Sequence, residues 1–133
     1  MMLNKIIDDY VVSDQITEDD IKSLKEAGFK TIFCNRPDGE EQNQISVKSI
    51  WDKATENGLN FIHQPVIGDQ ISQNDVDEFS IHYDAAEKPI FAYCRTGTRC
   101  SMLWALSESG KRPIDEILQL TSAAGYNLSN LFS

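Results

Sequence analysis

Basic residues are scarce in this chain: 12 Lys and Arg stand against 21 Asp and Glu among 133 residues, a formal net charge of -9. That balance argues against a nucleic-acid binder, whose phosphate affinity is built from Lys and Arg. It also argues against a protein held electrostatically at a membrane surface. Cysteine is scarce as well. Cys34, Cys94 and Cys100 form no C-x-x-C pair and are too few for a disulfide framework. With His63 and His82 as the only histidines, no metal-ligand spacing is present, and neither a metal nor another cofactor is expected. Long apolar runs are missing too: none approaches the roughly 20 residues of a membrane helix. The opening Met1–Asp9 meets acid before a signal-like stretch forms. Hydrophobic residues at 41% and charged residues at 25% exclude a disordered or fibrous chain. The expectation is a single domain over residues 1–133, in the cytoplasm, with no nucleic-acid or membrane partner.

What is present reads as alternating strands and helices. Tyr10-Val-Val12 carries a strand signal. Thr17 and Asp20 have capping-box spacing ahead of Ile21, Leu24 and Ala27, with Gly28 as the stop. The run Lys30–Cys34 is β-rich and ends in the turn Asn35-Arg36-Pro37-Asp38-Gly39. A helix then places Val47, Ile50, Trp51 and Ala54 on one face, which assigns Trp51 to the core. Leu59–His63 is the next strand. Ser72 and Asp75 form a second capping box before a helix bearing Val76, Phe79, Tyr83 and Ala86. Pro89–Tyr93 is the most apolar strand, followed by the loop from Cys94 and a helix with Met102, Leu103, Ala105 and Leu106. Pro113 sits at the start of the last helix, which carries Ile114, Ile117 and Leu118 to a stop at Gly125. This order predicts an α/β fold with a mostly parallel central sheet of four to five strands, covered by helices on both faces. Ligands of such sheets bind at the carboxyl ends of strands, which singles out the loops 35–41, 65–70 and 94–100.

The loop Tyr93-Cys94-Arg95-Thr96-Gly97-Thr98-Arg99-Cys100-Ser101 joins a buried strand to a helix start. Such a turn gathers backbone N–H groups around one centre, and the helix dipole adds positive potential there. Gly97 permits the backbone conformation a tight anion cradle needs. A cysteine at the strand end is expected to ionise readily in that field. Arg99 can offer a bidentate fork to an oxyanion, with Arg95, Thr96 and Thr98 beside it. Residues 94–112 hold Arg95, Arg99, Lys111 and Arg112 against Glu108 alone, a net +3 that leaves -12 on the rest of the chain. Nucleophile, oxyanion cradle and counter-charge in one loop are what thiolate attack on a tetrahedral anion requires. A buried, inert cysteine beside a solvated turn is the plainer reading of the same residues.

This loop resembles the cysteine–arginine signature shared by cysteine-dependent phosphatases and rhodanese sulfurtransferases. A fuller likeness is to the bacterial beta-lactamase-hydrolase-like, phosphatase-like domain family. It is carried by Gln15-Ile16-Thr17, Asn35 to Glu41, Val66 to Ile71, Tyr93 to Ser101 and Pro113 to Leu118. The resemblance implies the phosphotyrosine-phosphatase-like, dual-specificity type of α/β fold, with Cys94 as nucleophile and Arg99 as anion binder. The chain departs from the common pattern in two places. Four residues separate Cys94 from Arg99 where protein phosphatases place five, and Tyr93 stands where a histidine usually precedes the cysteine. A four-residue gap resembles single-domain rhodaneses, whose smaller loop holds a persulfide.

A phosphatase also needs a proton donor for its leaving group. Asp69 resembles in position the general acid of dual-specificity phosphatases, and Asp38 is the rival at the same sheet edge. Arg36 is placed to orient its loop by pairing with Asp38 or Glu40. Cys100, at the helix start, is either a resolving thiol for Cys94 or a small packing residue. Three functions therefore stand. The first is a cysteine-dependent phosphatase-like hydrolase of a small phosphorylated substrate or phosphoprotein. The second is a rhodanese-type sulfurtransferase handling sulfane sulfur on the same cysteine. The third is a non-catalytic small-oxyanion binder or thiol redox sensor.

Overall fold

The structure, a computed structural model, describes residues 1–68 and 70–132. Among them the strands are β1 (Asn4–Ile7), β2 (Tyr10–Ser13), β3 (Thr31–Cys34), β4 (Asn60–His63) and β5 (Ile90–Tyr93). The helices are α1 (Asp20–Glu26), α2 (Val47–Glu56), α3 (Gln73–Ala85), α4 (Thr98–Glu108) and α5 (Ile114–Ala123). The sheet runs in the order β1-β2-β5-β3-β4, parallel throughout except for β1, which pairs antiparallel with β2. This is the expected α/β architecture, with five strands, of which β1 is the one not named from the sequence. β1 had no sequence signal because Ile6 is its one buried residue, so its pattern is too short to register.

Side-chain alternation along the strands divides the core in two. Tyr10, Val12, Phe33, Ile90 and Ala92 point to the face covered by α3, α4 and α5. Val11, Ile32, Cys34, Phe91 and Tyr93 point to the opposite face, packed with Ile21, Leu24 and Ile50 of α1 and α2. The same two-residue period continues one step past β5 and sends Cys94 to the α4 face. Register aligns Ser13 with Tyr93, Tyr93 with Cys34, and Cys34 with His63, so four strands finish on one edge. The loops that follow them are thereby brought to a common crevice.

Two local expectations change. Thr17 and Asp20 do not form a reciprocal capping box: the Thr17 N–H and hydroxyl both donate to the Asp20 carboxylate, and α1 starts later, at Asp20 itself. Trp51 is not core. It is 45% exposed and stacks at 5.1 Å on Phe61, because β4 is the edge strand, with no further strand beyond it among the described residues. The Ser72–Asp75 capping box forms as expected, with both reciprocal hydrogen bonds made.

Candidate active site

The loop after β5 is built by three backbone decisions. Asn35 N–H donates to the Tyr93 carbonyl at 3.0 Å and Gln15 N–H to the Arg95 carbonyl at 3.3 Å, tying the loop to its neighbours. Gly97 adopts φ +95°, a left-handed conformation that costs a Cβ-bearing residue, and directly precedes α4. An added Cβ there would also overlap the Tyr126 hydroxyl. The turn points the Gly97 N–H at the Cys94 sulfur, 3.0 Å away.

Cys94 is 1% exposed, yet its pKa is lowered from 9.0 to about 5. The largest cause is a hydrogen bond from the Cys100 thiol. Backbone N–H groups of Cys100, Thr96 and Gly97 add to it, against the cost of burial. Burial and the neighbouring Cys94 sulfur push the Cys100 thiol well up, so Cys100 keeps its proton and serves as the donor. Cys94 is therefore a thiolate at neutral pH, at the N-terminal end of an 11-residue helix whose dipole favours negative charge. Tyr93 lies on the other face beside Cys34, and burial raises its hydroxyl pKa. Cys34 is pushed up to about 11 by burial, in keeping with a core residue.

Arg99 is nearly buried. Its Nη1 and Nη2 donate to the two Glu40 carboxylate oxygens at 2.7 and 2.8 Å, and Nη1 also to the Val66 carbonyl at 3.0 Å. The hydrogen bonds to Glu40 first, and then the charge of the nearby Cys94 sulfur, raise the guanidinium's pKa. Glu40 accepts in addition from Arg36 Nε at 2.9 Å, and these two guanidinium groups, Arg99 first, lower its pKa to about 2. Arg36 is itself buried and donates through Nη1 to Gln15 at 2.9 Å. Arg95 lies further out and pairs with Glu41 at 2.6 Å.

A pocket of about 630 Å³ opens over this arrangement, lined by Arg95, Thr96, Thr98, Arg99, Glu40 and Glu41, with Gly68 and Met102 at its sides. The structure thus brings together Cys94, Arg95, Thr96, Gly97, Thr98, Arg99 and Cys100, with Arg36 behind Glu40. It does not bring Asp38 to them. The Asp38 carboxylate accepts the Val47 N–H at 2.8 Å at the start of α2 and borders a different groove with Trp51 and His63. Asp69 lies outside the described residues. His63 is bonded to the Arg36 carbonyl at 3.1 Å, a structural role. The sequence reading singles out the loop 35–41 and offers Glu40 to Arg36, but does not pair Glu40 with Arg99 or Glu41 with Arg95. The tandem acid pair at the end of that loop was the available signal.

Comparison with known proteins gives the family and the fold. Residues 2–111 match the family pattern of the beta-lactamase hydrolase-like protein, phosphatase-like domain. The chain belongs to this family. It is 34% identical over 119 residues to a beta-lactamase hydrolase-like protein of Xylella fastidiosa, covering 88% of this chain and 28% of that protein. The chain thus spans little more than a quarter of the curated relative's length. A candidate phosphatase of Neisseria meningitidis, known as a crystal structure, is 41% identical, with a TM-score of 0.89 over 98% of this chain and 93% of its own. The core catalytic domain of a PP-IP phosphatase from S. cerevisiae, crystallised with citrate, shares the fold alone. It is 12% identical, with a TM-score of 0.68 over 92% of this chain and 75% of its own. The family member described here therefore has a phosphatase-like α/β fold with a five-stranded, mostly parallel sheet.

Proposed function

We propose that this domain is a cysteine-dependent phosphatase-like hydrolase of a small phosphorylated substrate. One observation carries the reading: a buried cysteine with its pKa lowered to about 5 accepts the Gly97 N–H, in a loop whose Arg95, Thr96, Thr98 and Arg99 line an open pocket. The Cys94 thiolate attacks phosphorus while loop N–H groups and Arg99 hold the equatorial oxygens. The P–O bond to the leaving group breaks, and the departing oxygen takes a proton from an acid, which we assign to Asp69. Gly68, its chain neighbour, lines the pocket, and Asp38 is engaged at α2. Water then attacks the phosphocysteine, releasing inorganic phosphate and the thiolate.

A second reading has its own support. Among the described residues, Arg99 and Arg36 face Glu40, Arg95 faces Glu41, and the thiolate is a third negative charge, so the three arginines are matched by three anions. Such a site suits a singly charged or sulfane-sulfur substrate better than a dianion. In this sulfurtransferase reading Cys94 takes sulfane sulfur from a donor such as thiosulfate, releasing sulfite, and passes it to an acceptor thiol. The test is paired turnover of an aryl phosphate and of thiosulfate with a thiol acceptor. Phosphate release that is abolished by Cys94→Ser and crippled by Asp69→Asn supports the hydrolase. A persulfide on Cys94 with negligible phosphate release overturns it in favour of sulfur transfer. Absence of both turnovers rejects both readings and leaves an anion binder or thiol sensor.

A further inference from the structure

The Gly97 N–H that faces the Cys94 sulfur is held from behind by a side chain far away in sequence. The Tyr126 hydroxyl donates to the Thr96 carbonyl at 3.0 Å, and Asn4 Nδ2 donates to the Tyr126 oxygen at 2.9 Å. Carbonyl and N–H of a trans peptide point in opposite directions across one rigid plane. Fixing the Thr96 carbonyl on one side therefore fixes where the Gly97 N–H points on the other, which is at Cys94 Sγ, 3.0 Å away. Because Asn4 donates to the Tyr126 oxygen, the phenol's single proton is left for the Thr96 carbonyl. Gly97 makes the approach possible, since a Cβ there would overlap this hydroxyl. Tyr126 is fixed in turn by its own N–H, which donates to the Thr121 carbonyl at 2.9 Å at the end of α5.

We propose that Tyr126, oriented by Asn4, is a positioning residue that aims the Gly97 N–H at the Cys94 sulfur. Tyr126 lies beyond residues 2–111, so the family pattern does not contain it. The inference rests on Cys94 as the reacting thiol and is the same for phosphate or sulfur chemistry. Among the described residues, the titratable and charged groups that interact with that sulfur are Cys100 and Arg99 from α4, Tyr10 from β2, Cys34 from β3, and Tyr126. Burial raises the Tyr126 pKa, so the phenol stays neutral across the working pH range and its replacement by Phe changes no charge.

The experiment is the pH dependence of Cys94 alkylation by iodoacetamide, localised by peptide mass spectrometry, in wild type, Tyr126→Phe and Asn4→Leu. It reads the thiolate directly and needs no turnover, so its failure is distinct from failure of the phosphatase reading. Tyr126→Phe is expected to move the midpoint up by about half to one pH unit, and Asn4→Leu to move it less in the same direction. A merely structural role would lower the melting temperature and leave the midpoint in place, which overturns the proposal. If Tyr126→Phe does not fold, an unmoved midpoint in Asn4→Leu overturns it equally.

Discussion

Replacing Cys100 by Ala removes the donor that contributes most to lowering the Cys94 pKa, at the cost of a single sulfur atom in a packed core. A hydrogen bond to a charged partner contributes about 1.5–3 kcal/mol. At about 1.4 kcal/mol per pH unit, its loss raises the Cys94 pKa by about one to two units. From about 5 in the native loop, the midpoint moves to about 6–7. At pH 6 the thiolate fraction then falls from about nine-tenths to between about one-tenth and one-half. Site-localised alkylation across pH 4–9 reads this shift directly. Cys100→Ser is the control, since its hydroxyl is also a donor and returns the midpoint towards the wild-type value. An unchanged midpoint in Cys100→Ala, or a serine variant no better than alanine, refutes the role assigned to the thiol.

The same lowering of the Cys94 pKa from 9.0 to about 5 ties stability to pH. The thiolate's contribution is full above pH 9 and is lost as pH falls towards 5, so the melting temperature of wild type should drop over that interval more than that of Cys94→Ala. Glu40→Gln removes a carboxylate that holds two largely buried guanidinium groups. We expect a loss of about 2 kcal/mol in denaturant unfolding, together with severalfold tighter competitive inhibition by inorganic phosphate as Arg99 is freed. Because the Glu40 carboxyl sits at about 2 against an ordinary 4.5, its contribution is full above pH 4.5 and fades as pH falls towards 2, a dependence the Gln variant lacks. Asp38→Ala removes the acceptor of the Val47 N–H and should cost about 1 kcal/mol while leaving turnover intact; a collapse of turnover with stability unchanged would make Asp38 the acid.

The parts of this molecule that were legible in its sequence are those written locally. Ile90–Tyr93 announced a buried strand by composition, Ser72 and Asp75 their capping box by spacing, and Cys94 to Ser101 an anion loop within eight consecutive residues. What escaped depends on contacts between distant segments. Arg99 meets Glu40 across 59 residues and Tyr126 meets Thr96 across 30, and no periodicity encodes either pairing. The sequence reading offered Arg36 two partners, Asp38 and Glu40; the fold selects Glu40 because Asp38 is engaged by the first turn of α2. Trp51 has the right helical spacing for the core, but sheet order leaves its side of β4 uncovered. Fold class followed from element order, and the site's chemistry from one loop. The setting of that loop was written in residues 4, 40 and 126.

The central claim is that Cys94 is an activated nucleophile, and rapid-quench intact-mass analysis tests it most directly. Wild-type protein mixed with an aryl phosphate should accumulate a species heavier by one phosphoryl group, mapped to Cys94 and absent in Cys94→Ser. Phosphate release at undiminished rate by Cys94→Ser, with no adduct on the wild-type cysteine, would contradict the account.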